Sequence, residues 1–207
     1  MRVKLCGMTD AAARDDAVDA GADAVGLVCD VSVDTPREIP PERAADLAAS
    51  TSPFVTTTLV TMLETVAETV DLVDRVRPDV LQVHAADPAD VATLASDART
   101  RIVAAIGLDA DLSAYADAAD ALLLDSTDDA GAGGTGRTHD WKRSRAVVGA
   151  LDCPVVLAGG LTPENVAEGV ATVRPYAVDV ASGIESAPGE KDPEAMRAFV
   201  EAARGAT

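Results

Sequence analysis

Short apolar segments alternate along the chain with longer, alanine-rich stretches. The apolar segments show little alternation of polar and apolar positions, which is typical of strands covered on both faces. The stretches between them carry helix signals, such as a proline near the first turn. The predicted strands are Arg2–Cys6, Ala24–Cys29, Val55–Val60, Val80–Val83, Ile102–Ile106, Ala121–Leu124, Val155–Ala158 and Ala177–Ala181. The predicted helices are Thr9–Ala20 with Thr9 as its cap, Pro41–Ser50, Leu63–Val76, Pro88–Asp97, Leu112–Ala118, Asp140–Ala150, Pro163–Val173 and Pro193–Ala203.

Eight strand–helix units in succession predict an α/β fold, a (β/α)8 TIM barrel. An open, doubly wound sheet is the alternative, but its first turn usually carries a GxGxxG motif. Here the first turn reads Cys6-Gly7-Met8-Thr9. No linker, charge block or low-complexity segment divides the 207 residues, so we expect one barrel domain over residues 1–207.

The composition narrows the class of protein further. Apolar residues make up 48% of the chain, which allows a core without disulfides, and no apolar run approaches the length of a membrane span. The start lacks the pattern of a signal peptide, so we expect a cytoplasmic protein with no membrane partner. The three cysteines, Cys6, Cys29 and Cys153, have no metal-ligand spacing, and a disulfide framework is not indicated.

The charge is strongly negative, with 35 acidic residues against 17 basic ones and a net charge of −18. Such a surface repels phosphate backbones, which argues against a nucleic-acid partner. An aspartate-rich coat with only three lysines resembles proteins of halophilic organisms, where concentrated cations screen the repulsion. An anionic substrate must then be held by backbone amides and a few arginines within its own binding site.

A TIM barrel places its chemistry where strands end and the following loops begin. The residues at these positions are Cys6 after strand 1, Arg37 in loop 2, His84 after strand 4, Asp125 after strand 6, Gly159 and Gly160 after strand 7, and Ser182 and Gly183 after strand 8.

Cys6 and Asp125 form a candidate acid/base pair across the mouth of the predicted barrel. A carboxyl at a partly desolvated mouth can keep its proton and act as a general acid, and a thiolate can act as the base. The alternatives are a small buried thiol for Cys6 and a helix cap or surface acid for Asp125. Their positions at two strand ends favour function.

The glycine turns after strands 7 and 8 predict a phosphate site. Glycines allow close approach of the backbone to an anion, and the segment from Ala181 to Glu185 can open a short helix whose amides add to the site. Ordinary turns are the alternative. Gly133 and Gly134, in a glycine-rich loop 6, are expected near the substrate.

Two further side chains are candidates for substrate binding. Arg37 can fork onto a substrate carboxylate, although a loop arginine often only solvates. His84 is either a residue of the barrel rim or a participant in the reaction. The sequence favours the two interpretations of His84 equally.

Taken in order, these blocks resemble the phosphoribosylanthranilate isomerase family of tryptophan biosynthesis. The matching blocks are Lys4-Leu5-Cys6-Gly7-Met8-Thr9, Thr35-Pro36-Arg37, Leu81-Gln82-Val83-His84, Leu123-Leu124-Asp125, Gly133-Gly134-Thr135-Gly136 with Asp140-Trp141, Leu157-Ala158-Gly159-Gly160-Leu161, and Val178-Asp179-Val180-Ala181-Ser182-Gly183-Ile184-Glu185 with Pro188-Gly189 and Lys191-Asp192. They span nearly the whole chain. The chain departs from the family where Ala85 follows His84, a position at which the family commonly has glycine.

The resemblance implies an Amadori rearrangement of N-(5'-phosphoribosyl)anthranilate to 1-(2-carboxyphenylamino)-1-deoxyribulose 5-phosphate. Asp125 would protonate the ribose ring oxygen, and Cys6 would remove the C2′ proton. Arg37 would hold the anthranilate carboxylate and Asp179 the sugar hydroxyls. The resemblance assigns the phosphate to Gly159, Gly160, Ser182 and Gly183. It implies no metal or cofactor, and either a monomer or a homodimer.

Two alternatives remain open from the sequence. One is a histidine-pathway isomerase that rearranges another ribonucleotide, alone or as a second substrate, although that enzyme typically uses two aspartates. The other is a non-catalytic phosphate-binding barrel or a subunit of a pathway complex. A binder needs neither Cys6 nor Asp125.

Overall fold

The structure, a computed structural model, describes residues 1–125 and 140–206. Strands and helices alternate through this part of the chain, followed by a small hairpin before the last helix. The strands are β1 (Arg2–Cys6), β2 (Ala24–Val28), β3 (Thr56–Met62), β4 (Val80–His84), β5 (Arg101–Ile106), β6 (Ala121–Leu124), β7 (Val155–Leu157), β8 (Ala177–Val180), β9 (Glu185–Ala187) and β10 (Glu190–Lys191). The helices are α1 (Ala11–Asp19), α2 (Pro41–Ser50), α3 (Val66–Val76), α4 (Pro88–Asp97), α5 (Leu112–Ala118), α6 (Trp141–Ala150), α7 (Val166–Val173) and α8 (Pro193–Gly205).

The first eight strands close into a parallel barrel, which confirms the predicted (β/α)8 fold. Each strand pairs with its neighbours in chain order, and β8 returns to pair with β1. Lys4 and Asp179 are direct register partners across this closing pair. The barrel therefore brings the first and last blocks of the sequence together.

The main core lies between the barrel and its helices. Leucines from the strands are fully buried there, together with Phe199 and Met196 of α8. The polar residues of the barrel interior include Lys4, Asp179 and Gln82, all buried. These buried polar side chains extend toward the site at the carboxyl ends of the strands.

Local signals explain most helix starts, and one predicted cap is wrong. Asp10, not Thr9, caps α1, because the Asp10 carboxylate accepts a hydrogen bond from the Ala13 amide at 2.9 Å. The Thr9 carbonyl instead accepts from Arg43 Nε at 3.0 Å. Likewise, α3 starts only after its cap, Thr65, which accepts from the Glu68 amide.

The segment after β8 contains the predicted short helix, a single 3-10 turn over Ser182–Ile184. The antiparallel hairpin of β9 and β10 that follows was not predicted. Its Gly189 has φ +81 and lies against Pro36 of loop 2, where a side chain would crowd the proline backbone. The hairpin thus lies beside the loop that carries Arg37. No helix in the described ranges is long and apolar enough to cross a membrane.

Candidate active site

Cys6 ends β1 at the mouth of the barrel and is 6% exposed. Its register partner on β2 is Gly26, where any side chain would overlap the Cys6 sulfur. Val28 and Val60 complete the small apolar cluster around the thiol. Gly26 therefore provides the space in which the Cys6 side chain sits.

A buried ion pair lies directly beneath Cys6. Lys4 Nζ donates to Asp179 Oδ1 at 2.9 Å, and both side chains are 10% exposed. Burial works against the charge of Lys4, yet Asp179 and the Cys6 sulfur raise the Lys4 pKa above its ordinary value. For the Cys6 thiol, burial raises the pKa, Asp179 adds to this, and the Lys4 and Lys191 ammonium groups lower it.

A second ion cluster, formed by Arg37, Glu185 and Lys191, also lies close to Cys6. The Arg37 guanidinium donates to both oxygens of Glu185, through Nε at 2.8 Å and Nη2 at 2.7 Å. Lys191 Nζ donates to Glu185 Oε1 at 2.7 Å, and its side chain is 1% exposed. Burial opposes ionisation of Glu185, but the hydrogen bonds from Arg37 and Lys191 hold its pKa below the ordinary value.

Asp125 follows β6 and shares one cleft with the predicted phosphate-binding turns. The same cleft is lined by Gly159, Gly160, Ser182 and Asp179. Asp179 also raises the pKa of the Cys6 thiol. It therefore lies near both members of the predicted acid/base pair. The structure thus brings Asp125 to the same barrel mouth as Cys6.

The glycine turns have the conformations that their sequence suggests. Gly159 and Gly160 have φ +83 and +64, a left-handed region that disfavours side chains. Asn165 fixes this turn, since its amide donates to the Gly160 carbonyl at 2.9 Å. A side chain at Gly183 would overlap the Leu161 carbonyl, so the loops after β7 and β8 lie directly against each other.

His84 ends β4 on the far side of the barrel, with Nε2 3.0 Å from Gln82 Nε2. Burial lowers its pKa to about 4, and the Lys4 charge acts in the same direction. His84 is therefore neutral near pH 7, and Nε2 accepts the Gln82 hydrogen bond. The following Ala85 has φ +57, at the position where the family commonly has glycine.

Most of the predicted site residues meet at this mouth. Gly133 and Gly134 lie outside the described residues. Lys4, Glu185 and Lys191 were missed as site residues. Two of the three lysines of this lysine-poor chain approach Cys6, and this scarcity was the available signal. Within residues 1–125 and 140–206, no three His, Cys, Asp or Glu side chains are grouped to hold a metal ion.

Known proteins resemble this chain over nearly its whole length. The family described as N-(5'phosphoribosyl)anthranilate (PRA) isomerase matches residues 3–202. An N-(5'-phosphoribosyl)anthranilate isomerase from Natronomonas pharaonis is 52% identical, with 99% of this chain and 98% of the relative covered. The enzyme of the same name from Haloarcula marismortui is 54% identical, with 99% and 97% covered. Both relatives come from halophilic archaea, in agreement with the acidic composition.

Solved structures give the same result. A phosphoribosyl anthranilate isomerase in complex with reduced 1-(o-carboxyphenylamino)-1-deoxyribulose 5-phosphate matches with a TM-score of 0.84 and 31% identity, over 99% of both chains. The matches extend over 99% of this chain. The chain therefore belongs to the N-(5'-phosphoribosyl)anthranilate isomerase family.

Proposed function

We propose that Cys6 and Asp125 carry the acid/base chemistry by which this chain isomerises N-(5'-phosphoribosyl)anthranilate in tryptophan biosynthesis. The isomerase activity itself follows from family membership. The observation that carries the assignment is that Cys6 and Asp125 lie at the same mouth of the barrel. It holds a thiol beside two ammonium groups and a carboxyl beside two glycine turns.

In the first step, the Asp125 carboxyl gives its proton to the ribose ring oxygen. The C1′–O bond breaks, the ring opens, and the anilino nitrogen and C1′ form a protonated Schiff base. General acid catalysis of this kind requires a positioned carboxyl that can hold a proton in a partly desolvated site. The half-buried position of Asp125 in the cleft supports this role.

In the second step, the Cys6 thiolate removes the C2′ proton. The electron pair moves into a C1′–C2′ double bond and neutralises the Schiff base, and the resulting enolamine tautomerises to the ketone product. Because burial raises the pKa of the thiol, the thiolate depends on the cations around it.

The remaining groups anchor the substrate. We propose that Gly159, Gly160, Ser182 and Gly183 bind the phosphate through backbone amides, as adjoining turns at strand ends do. Arg37 binds the anthranilate carboxylate with the part of its guanidinium that faces away from Glu185. Asp179 contacts the sugar hydroxyls, while Lys4 balances its charge.

Several properties stay predictions. These are the substrate contact of Gly133 and Gly134, the part played by His84, the single-domain organisation, the cytoplasmic location, and the choice between a monomer and a homodimer. A reaction by proton transfer between anchored groups calls for neither metal nor cofactor.

The assignment of substrate is tested by turnover. Purified protein in molar KCl is mixed with freshly made N-(5'-phosphoribosyl)anthranilate, and the loss of anthranilate-type fluorescence is followed. In parallel, the histidine-pathway aminoaldose is offered. We expect rapid loss with the first substrate and at least a hundredfold lower kcat/KM with the second. Turnover of the second substrate alone would contradict the proposed function.

A further inference from the structure

We propose that Lys191 and Glu185, on the hairpin of β9 and β10, form a positioning unit for this reaction. Lys191 supplies the net positive charge beside Cys6, and Glu185 holds Lys191 and Arg37 in place together. The inference rests on the proposed roles of Cys6 and Arg37. It adds two residues that act through other groups.

The position of Lys191 is fixed by contacts on several sides. Its Nζ donates to the Ala181 carbonyl at 2.9 Å and to Glu185 Oε1 at 2.7 Å. A methyl group on Gly7 would lie 3.3 Å from the same Nζ. The ammonium therefore lies directly against the residue that follows Cys6, on a side chain that is 1% exposed.

Glu185 uses both of its oxygens to hold two cations. Oε1 accepts from Lys191 and from Arg37 Nε, and Oε2 accepts from Arg37 Nη2. The Gly189 amide also donates to Oε2 at 3.3 Å, which ties the carboxylate to the hairpin turn. Without Glu185 the two cations would repel each other, so one carboxylate sets the positions of both.

Charge balance distinguishes this unit from the Lys4 pair. Lys4 is matched by Asp179 at 2.9 Å, and this pair is neutral as a whole. Arg37, Glu185 and Lys191 comprise two cations and one anion, which leaves one positive charge near the thiol. His84 is neutral near pH 7 because burial lowers its pKa to about 4. Asp125, which follows β6, is the remaining titratable side chain that we assign to this mouth, and it is the general acid of the proposed mechanism.

Because Lys191 is buried, its charge still acts on Cys6 at the high salt concentration that we expect for this acidic protein. Exposed pairs are largely screened at molar ionic strength, whereas buried pairs are screened much less. Burial also lowers the pKa of Lys191 from its ordinary value, an effect that the Glu185 carboxylate opposes. Glu185 thus helps keep the ammonium charged beside Cys6.

The test is the pH dependence of Cys6 alkylation by iodoacetamide in molar KCl. The modified Cys6 peptide is quantified by mass spectrometry, and Cys153 serves as an internal reference thiol. We expect Lys191→Met to displace the Cys6 profile to higher pH and to slow alkylation near pH 8 roughly tenfold. Lys191→Arg should restore most of the rate. The matched control is Lys142→Met, because Lys142 is exposed on α6, and its profile should coincide with that of the unchanged protein.

Coincidence of the Lys191→Met and unchanged profiles, in folded protein, would overturn the proposal. If Lys191→Met does not fold, Lys191→Gln keeps a polar side chain without the charge and must give the same displacement. Steady-state kinetics separate the two residues, since Lys191→Met should lower kcat and Glu185→Gln should raise KM. Alkylation requires no turnover, so its outcome is independent of whether Cys6 is the base. Full activity of Cys6→Ser would reject only the proposed function.

Discussion

Ala85 has a backbone conformation that is unfavourable for a residue with a side chain. It holds φ +57, a left-handed conformation that costs a non-glycine residue roughly 1 kcal/mol. Its side chain is exposed, so packing does not account for the alanine. The sequence showed a departure from the family at this position but not its backbone angle.

We therefore expect Ala85→Gly to raise the free energy of unfolding by roughly 0.5–1 kcal/mol, because glycine adopts this conformation without strain. Urea unfolding in molar KCl measures the change. The matched control is Ala92→Gly on the exposed face of α4, where the same substitution should destabilise by about 1 kcal/mol. Destabilisation by both substitutions would contradict the account of Ala85.

His84 makes a second prediction, for stability against pH. The folded state protonates His84 near pH 4, whereas an unfolded histidine does so near 6.5. Between these values the unfolded state binds more protons, so stability falls as the pH falls. We expect His84 to account for about 2 kcal/mol of the stability lost between pH 7 and pH 4.5.

Urea unfolding of His84→Gln at the two pH values isolates this contribution from that of the carboxylates. The variant should lose about 2 kcal/mol less stability on acidification than the unchanged protein. Equal losses would show that folded His84 titrates like an unfolded histidine.

At the scale of elements, the sequence predicted the strands and several helices closely. Pro41–Ser50, Pro88–Asp97 and Leu112–Ala118 have their predicted bounds, because proline or acidic caps mark their starts. The hairpin of β9 and β10 was missed, since its few residues are mostly polar and carry no hydrophobic period. The partners of Lys191 and Arg37 were missed with it.

The contact between the loops after β7 and β8 depends on Gly183. A methyl group there would overlap the Leu161 carbonyl, so Gly183→Ala must push the loops apart. We expect the KM for the phosphorylated substrate to rise by about tenfold or more. The free energy of unfolding should fall by about 1–3 kcal/mol.

Gly149→Ala is the control for this substitution, because nothing lies within 4 Å of its added methyl group in α6. Its KM should be unchanged, and its stability equal or higher by up to about 1 kcal/mol. An unchanged KM in Gly183→Ala would remove the proposed phosphate site from these loops.

At the scale of the whole molecule, closure of the barrel brings together residues from both ends of the chain. Lys4 meets Asp179, and Arg37 meets Glu185, across 175 and 148 positions. Eight strand–helix units predicted which loops share a face. They could not predict which charges pair there, because pairing depends on side-chain positions within the loops.

The net charge of −18 predicts a dependence on salt. Repulsion in the acidic coat should be screened as the Debye length falls to about 3 Å near 1 M salt. We expect the free energy of unfolding to rise with KCl, most steeply below about 1 M. A variant with Asp19, Asp74 and Asp117 changed to asparagine should be more stable at low salt and less dependent on KCl. A flat dependence in the unchanged protein would contradict this account of the coat.

The central claim is that Cys6 and Asp125 carry the chemistry while other residues hold the substrate. The most direct measurement compares turnover with ligand binding in Cys6→Ser and Asp125→Asn, with Cys153→Ser and Asp152→Asn as controls. Turnover is followed by anthranilate-type fluorescence, and binding by titration with the reduced product analogue. The account predicts that kcat falls by about a thousandfold or more in Cys6→Ser and Asp125→Asn. The affinity of these two variants for the analogue should stay within about tenfold of the unchanged protein. The two controls should keep full activity. Full turnover in Cys6→Ser or Asp125→Asn would contradict this account.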